Sequence, residues 1–271
     1  MKKVTDKQQL YLNGLAARER RVRIGRVLVA IGFFLVWELA SRTGLINDFI
    51  FSSPSRCLSA ALVMSGNAGL PYHMAVTLYE TIISFLIVMV ISPIAALALW
   101  KFRTLADILE PYLIALNSLP KSALAPVLIV WLGNRMRTVI AAAVMISVFA
   151  STLTLLAGFR DTDEDKIRLI KTLGGGSLDV MRLVVLPSSL PIFFSTMKVN
   201  IGLCLVGVII GEFLAANAGL GYLIIYGSQV FKMDIVILSI VLLCLLSAPL
   251  SRLLSSPENL IKGQNRPAKK K

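Results

Sequence analysis

Lys171-Thr-Leu-Gly174-Gly-Gly-Ser-Leu-Asp-Val-Met-Arg-Leu-Val184-Val-Leu186-Pro187, followed by Ser-Ser-Leu-Pro191, lies between two strongly apolar stretches and is itself polar. Gly174 interrupts a helical pattern, and the residues after it form a short amphipathic helical pattern. Pro187 and Pro191 bracket the start of the next apolar segment. A polar helix-turn-helix between apolar segments presents a surface to a partner and does not cross a bilayer.

The apolar stretches decide the class. Of 271 residues, 56% are hydrophobic and only 16% charged, and several runs approach the roughly 20 residues that cross about 30 Å of hydrocarbon as helix. The chain is therefore expected to be an all-α integral membrane protein with six transmembrane helices. These are expected at about Val27 to Ala40, Thr77 to Trp100, Leu113 to Leu132, Thr138 to Phe159, Pro191 to Ala216 and Ile235 to Leu254. The first run is short and is expected to tilt, or to snorkel its flanking arginines. Between the first two runs, residues 42–70 form a connection with a short amphipathic helix around Arg56 to Met64.

Three parts follow: a basic amino-terminal segment 1–26, a six-helix transmembrane domain 27–255 carrying the polar loop 160–187, and a basic tail 256–271. The net charge of +13 resides at the ends and in short loops, which excludes the aromatic-interleaved basic surface of a nucleic-acid-binding protein. With both termini cytoplasmic, about 21 of the 28 basic residues lie inside and about five outside, as the positive-inside rule requires. The basic amino terminus lacks a small-residue cleavage site, so the first span is expected to remain in the mature chain. The tail is expected to be disordered near anionic headgroups.

The three cysteines are too scattered for a disulfide framework or a tetrahedral metal site. Asp161, Asp163, Glu164 and Asp165 lack calcium-loop spacing and suit the acidic start of a helix. His73 stands alone and is expected at the surface of an outer loop. No Gly-rich phosphate loop ending in Gly-Lys-Ser or Gly-Lys-Thr occurs. If transport is driven by ATP, another subunit must hydrolyse it.

The spacing of Gly174, Val184 and Leu186-Pro187 resembles the cytoplasmic coupling loop of ABC importer permeases. Trp37-Glu38-Leu-Ala, Gly44-Leu, Ser53-Pro54-Ser, Leu119-Pro120-Lys-Ser-Ala-Leu-Ala-Pro126, Trp131-Leu-Gly133 and Gly211-Glu212-Phe-Leu-Ala-Ala-Asn-Ala-Gly219-Leu-Gly221-Tyr222 are similar to the nitrate/sulfonate/taurine/bicarbonate-type subfamily. The resemblance implies a type I, MetI-like permease fold in a bacterial inner or plasma membrane. It further implies a second permease subunit forming a homodimer, two cytoplasmic ABC ATPase subunits and an extracytoplasmic substrate-binding protein. The chain itself would hold no cofactor, ATP and magnesium being bound by the ATPase. Cargo would be a small solute, either a nitrate-, sulfonate- or taurine-type anion or a vitamin precursor.

On this resemblance Arg168, Gly174, Val184, Leu186 and Pro187 belong to the ATPase-coupling loop. One departure stands out: where the family usually has Glu followed by two small residues, this chain has Arg168-Leu169-Ile170. Charge reversal at a rim alters partner choice more than affinity.

Pro120, Lys121, Pro126, Lys198, Asn200 and Glu212 are candidates for the translocation path or a gate. Each also has a structural reading. The prolines free carbonyls and widen the third helix, and Lys121 snorkels. Lys198 and Asn200, with Gly202 and Gly207, serve helix packing. Glu212 caps a neighbouring helix or pairs with Lys198 or Lys121. Glu38 is expected to serve packing. An ion-coupled secondary transporter would show internal repeats and acids at the midplane, and a membrane enzyme would show clustered catalytic side chains; neither pattern is visible.

Overall fold

The structure, a computed structural model, describes residues 6–66 and 69–253. The tail 256–271 and the first five residues lie outside the described residues. No strand occurs among those described, and five helices are long and apolar enough to cross a membrane.

α1 (Asp6–Arg42) is a single 37-residue helix whose apolar half packs only at the margin of the bundle. Glu38 there accepts from Arg42 at 2.7 Å and from the Ser55 amide at 3.1 Å, which ties α1 to the start of the Pro54–Gly66 helix. α2 (Asp48–Phe51) and α3 (Pro54–Gly66) form the expected connection. α4 (Gly69–Lys101) starts eight residues before the expected span and runs through Pro93.

The third apolar run is not one helix. α5 (Arg103–Ser118) stops where Leu119 turns extended, φ −64° and ψ 139°, because Pro120 excludes the helical region for the residue before it. A 3₁₀ turn, Lys121–Leu124, then leads into α6 (Ala125–Leu132). Pro126 stands in the first turn of α6, where its missing N–H costs nothing. The two prolines thus end one helix and begin another and do not widen a continuous one.

α7 (Met136–Arg160) and α10 (Leu186–Ala215) form the centre with α4. Glycine sets their distance: a Cβ on Gly207 would lie 2.5 Å from Ala143 Cα, and one on Gly211 2.9 Å from Val139 Cα. Close backbone approach through small residues is how helices pack without a hydrophobic driving force. Gly202 has nothing near its Cβ position and takes no part. α11 (Leu220–Gln229) and α12 (Met233–Leu253) close the bundle against α3. There Asp234 accepts from Ser52 at 2.6 Å and from Arg56 at 3.1 Å.

Between α7 and α10 lie α8 (Glu164–Thr172), α9 (Ser177–Val180) and a π-helical turn, Met181–Val185. Pro187 and Pro191 lie within helix and do not bracket its start. From Ser177 to Ala215 the chain is one unbroken 39-residue helical rod. The π turn just before Pro187 accommodates the lost backbone donor, as such bulges commonly do.

Candidate functional site

The polar loop is a helix-turn-helix. Asp163 caps α8 by accepting from the Asp165 amide at 3.0 Å, and Glu164 and Asp165 occupy its first turn, so the acidic cluster is a helix start. Gly174 has φ +84°, a left-handed conformation that disfavours any side chain. Gly175 is held tightly as well, since a Cβ there would meet Ile170 Cγ2 at 2.6 Å. The Asp179 carboxylate accepts from the Gly176 amide at 2.8 Å and fixes the start of α9.

Arg168 is exposed and pairs with Glu164 one turn away at 3.0 Å. Val184 is buried, and its neighbour Val185 joins the core of Leu155, Leu156 and Phe159. Leu186 and Pro187 are exposed. The loop also carries three exposed apolar side chains that the spacing argument overlooked: Leu169, Leu178 and Leu173, the last 75% exposed. The i, i+4 spacing of Leu169 and Leu173 on α8 and its end is visible in the sequence. The rod beginning at Ser177 joins this surface directly to the centre of the bundle.

At the opposite end of α10 a second site emerges. Glu212, 1% exposed, accepts from Thr77 Oγ1 through Oε1 at 2.7 Å and from the Gly221 amide through Oε2 at 2.5 Å. Thr77 Oγ1 in turn accepts from the Leu220 amide at 2.8 Å, and His73 Nδ1 from the Gly219 amide at 3.0 Å. Three successive amides at the start of α11, all without intrahelical partners, are thus satisfied by side chains of α4 and α10. The capping reading of Glu212 is the one its contacts describe.

His73 is not a surface loop residue. It lies in α4, half-buried, with its ring stacked on Tyr222 at 5.8 Å. Sequence reasoning also missed Glu80, one turn along α4 from Thr77 and 1% exposed. Its carboxyl group faces that of Glu212, and its Oε2 has no hydrogen-bond partner. An acid inside an apolar run was the available clue. Gly219, at φ +115°, and Gly221 leave room for Glu212, with which a Cβ on either would collide.

Asn200 is buried and accepts from Ser151 at 2.5 Å across the α7–α10 contact. It lines a small, largely apolar groove of about 140 Å³ with Ala150, Val199 and Leu203 beside Ser151 and Thr154. Lys198 is exposed on the same helix. Pro120 and Pro126 are exposed at the break between α5 and α6, far in sequence from these groups. The Lys121 side chain lies outside the described residues.

In class, this is an all-α multi-spanning membrane protein whose central helix is continuous with a polar loop. Residues 89–256 match the family described as binding-protein-dependent transport system inner membrane component, and the chain belongs to that family. It is 28% identical over 229 residues to a protein of Haemophilus influenzae named "Probable ABC transporter permease protein", covering 84% of this chain and 92% of that one. It is 26% identical over 194 residues to the formylaminopyrimidine transport permease protein ThiX of Halalkalibacterium halodurans, covering 70% and 77%. The fold is shared with the MetNI methionine ABC transporter in inward-facing conformations, with TM-score 0.54 and 16% identity over 67% of this chain and 94% of that one. The chain is a permease subunit of an ABC importer, a transport component with a MetI-like fold.

Proposed function

We propose that two copies of this chain form the translocation path of an importer, with two cytoplasmic ATPase subunits docking on loops 160–187 and a binding protein delivering cargo on the other face. Both termini are then cytoplasmic, in a bacterial inner membrane. ATP and magnesium are held by the ATPase, and this chain makes and breaks no covalent bond.

The observation that carries this reading is the joining of an exposed apolar docking surface, Leu169, Leu173 and Leu178, to a rod that reaches Ala215 without a break. A rigid element passes displacement from a docked ATPase to the far end of the bundle. There Glu212 ties the rod to α4 and α11. The rod and its cap make a two-state element that nucleotide-driven closure can bias. Gly174, Leu186 and Pro187 shape the docking surface, Val184 anchors it, and Arg168 sets partner choice.

Lys198 and Asn200 lie about midway along α10, Asn200 beside a small, largely apolar groove, and are the polar side chains this reading assigns to the solute path. Pro120, Lys121 and Pro126 mark the break between α5 and α6, and interrupted helix is tolerated in a membrane only against protein or water. Cargo is a small solute of the nitrate, sulfonate or taurine type or a vitamin precursor, selected by the binding protein.

The test is affinity purification of the full chain from gently solubilised native membranes beside a Leu169→Glu/Leu173→Glu variant, with partners identified by mass spectrometry. Stoichiometric ATPase with the native chain and its loss with the variant is the expected result. Absence of ATPase from both overturns the reading.

A further inference from the structure

A cavity of about 610 Å³ opens at the root of the loop, between the end of α4, the start of α5, the end of α7 and helices α8 and α9. Its apolar floor includes Leu99, Phe159 and Val180, all buried. Its rim is basic. Lys101, Arg103 and Lys171 line it, and none of the ion pairs among the described residues includes any of them.

The other charges at the rim are already engaged. Arg160 is held by Glu110 at 2.8 Å and Asp107 at 3.9 Å, and Glu164 by Arg168 at 3.0 Å. Three cations from three separate elements therefore face one cavity with no acid matched to them. A fourth feature is independent of charge: Thr162 lines the same cavity, is 6% exposed, and its Oγ1 has no hydrogen-bond partner. Buried hydroxyls left unpartnered are uncommon in native structures and call for a ligand or water.

We infer that this cavity binds the headgroup phosphate of an anionic phospholipid, with Lys101, Arg103 and Lys171 around the phosphate and the Thr162 hydroxyl donating to one of its oxygens. The level is that of a headgroup, since both α4 and α7 end there. Beside the basic pair, Phe102 and Leu105 are exposed and offer an apolar surface for acyl chains. Lys101 Nζ already lies 5.4 Å from the Phe102 ring centroid, at the boundary between the two environments. Basic pockets between spans are a recurrent means of holding anionic lipid. Bound phosphate would bridge α4 and α5 to α8 and brace the loop against the bundle, whichever protein docks on its far surface.

The experiment is native mass spectrometry of the purified full chain, titrated with dioleoyl phosphatidylglycerol, dioleoyl phosphatidylcholine or inorganic phosphate. The native chain, Lys101→Gln/Arg103→Gln/Lys171→Gln and Thr162→Val are compared, with Arg135→Gln/Arg137→Gln as a control that removes charge at another loop. Phosphatidylglycerol adducts should fall about a hundred-fold in the triple variant, at roughly 1 kcal/mol per basic residue, and less in Thr162→Val. The control should match the native chain, and phosphatidylcholine should not bind. Unchanged phosphatidylglycerol binding in both cavity variants overturns the proposal, as does equal loss in the control. Saturable binding of inorganic phosphate without phosphatidylglycerol binding overturns the lipid as the source. Loss of copurifying ATPase with lipid binding intact assigns the rim to the partner protein and also overturns it.

Discussion

The Glu212 carboxylate receives the Gly221 amide on one oxygen and the Thr77 hydroxyl on the other, so both of its oxygens are engaged within the membrane-spanning bundle. A glutamine has one acceptor oxygen and one donor nitrogen, and it cannot satisfy two donors in this geometry. Glu212→Gln is expected to destabilise the chain by about 1–3 kcal/mol, the cost of one buried group left unpaired. Glu80→Gln differs: its amide can donate to Glu212, and the expected change is within about 0.5 kcal/mol of zero. Thermal unfolding of both variants in one detergent checks the contrast. Equal destabilisation would show that the Glu80 carboxyl group is needed as much as that of Glu212.

Helix spacing at the centre predicts a second contrast. Adding one methyl at Gly207 places it against Ala143 Cα, backbone that cannot rotate away, whereas Gly202 faces open space. Gly207→Ala should cost roughly 1–3 kcal/mol through overpacking. Gly202→Ala should be neutral or slightly stabilising, as a helix-interior glycine replaced by alanine usually is. Folded yield and melting temperature of the two variants measure the difference.

These contrasts also mark what is legible in the sequence. Apolar length and flanking charge locate the spans, and Gly174 with Leu186-Pro187 locates the loop, because each depends on neighbours along the chain. Pro120 reads as a widening and is in fact a break, since proline identifies a disruption without saying whether the helix resumes along the same axis. Pro187 departs from expectation the other way: the π turn absorbs the disruption, and the helix runs on. Glu212 stands out as an expensive intramembrane acid, but its partners Thr77 and Glu80 stand on a helix more than 130 residues earlier. His73 looks solitary for the same reason, its partners Gly219 and Tyr222 being distant in sequence. Periodicity carries no information about such pairs.

On the docking loop, conformation and surface chemistry can be separated. Gly174 needs φ +84° but has free space around its Cβ position. Asparagine tolerates that region better than other side chains, whereas a β-branched residue does not. Gly174→Asn should retain most ATP-driven uptake, and Gly174→Val should lose it through altered turn geometry at the ATPase. Leu173→Glu leaves the backbone unstrained and removes only the exposed apolar contact. It should insert and melt like the native chain yet lose uptake in proteoliposomes containing the ATPase and binding protein. Retained uptake in Leu173→Glu would remove Leu173 from the docking surface.

Arg168 gives the sharpest test of partner choice, because its ion pair with Glu164 is exposed on both sides. Such a pair contributes about 0–1 kcal/mol, so Arg168→Glu is expected to leave the melting temperature almost unchanged. At the rim of a docked ATPase the same change reverses a charge, and rim charges act chiefly on association rate and discrimination between partners. Arg168→Glu should weaken stimulation of the native partner ATPase and improve pairing with ATPases from relatives whose permeases carry Glu at this position. Leu169 and Ile170 limit the gain, since their bulk demands a wider groove than the usual small residues. Arg168→Glu/Leu169→Ala/Ile170→Ala should therefore outperform the single variant with the foreign ATPase. Stimulated ATP hydrolysis, measured for native and Arg168→Glu permeases with both ATPases, decides it: four equal rates would show that position 168 does not select the partner.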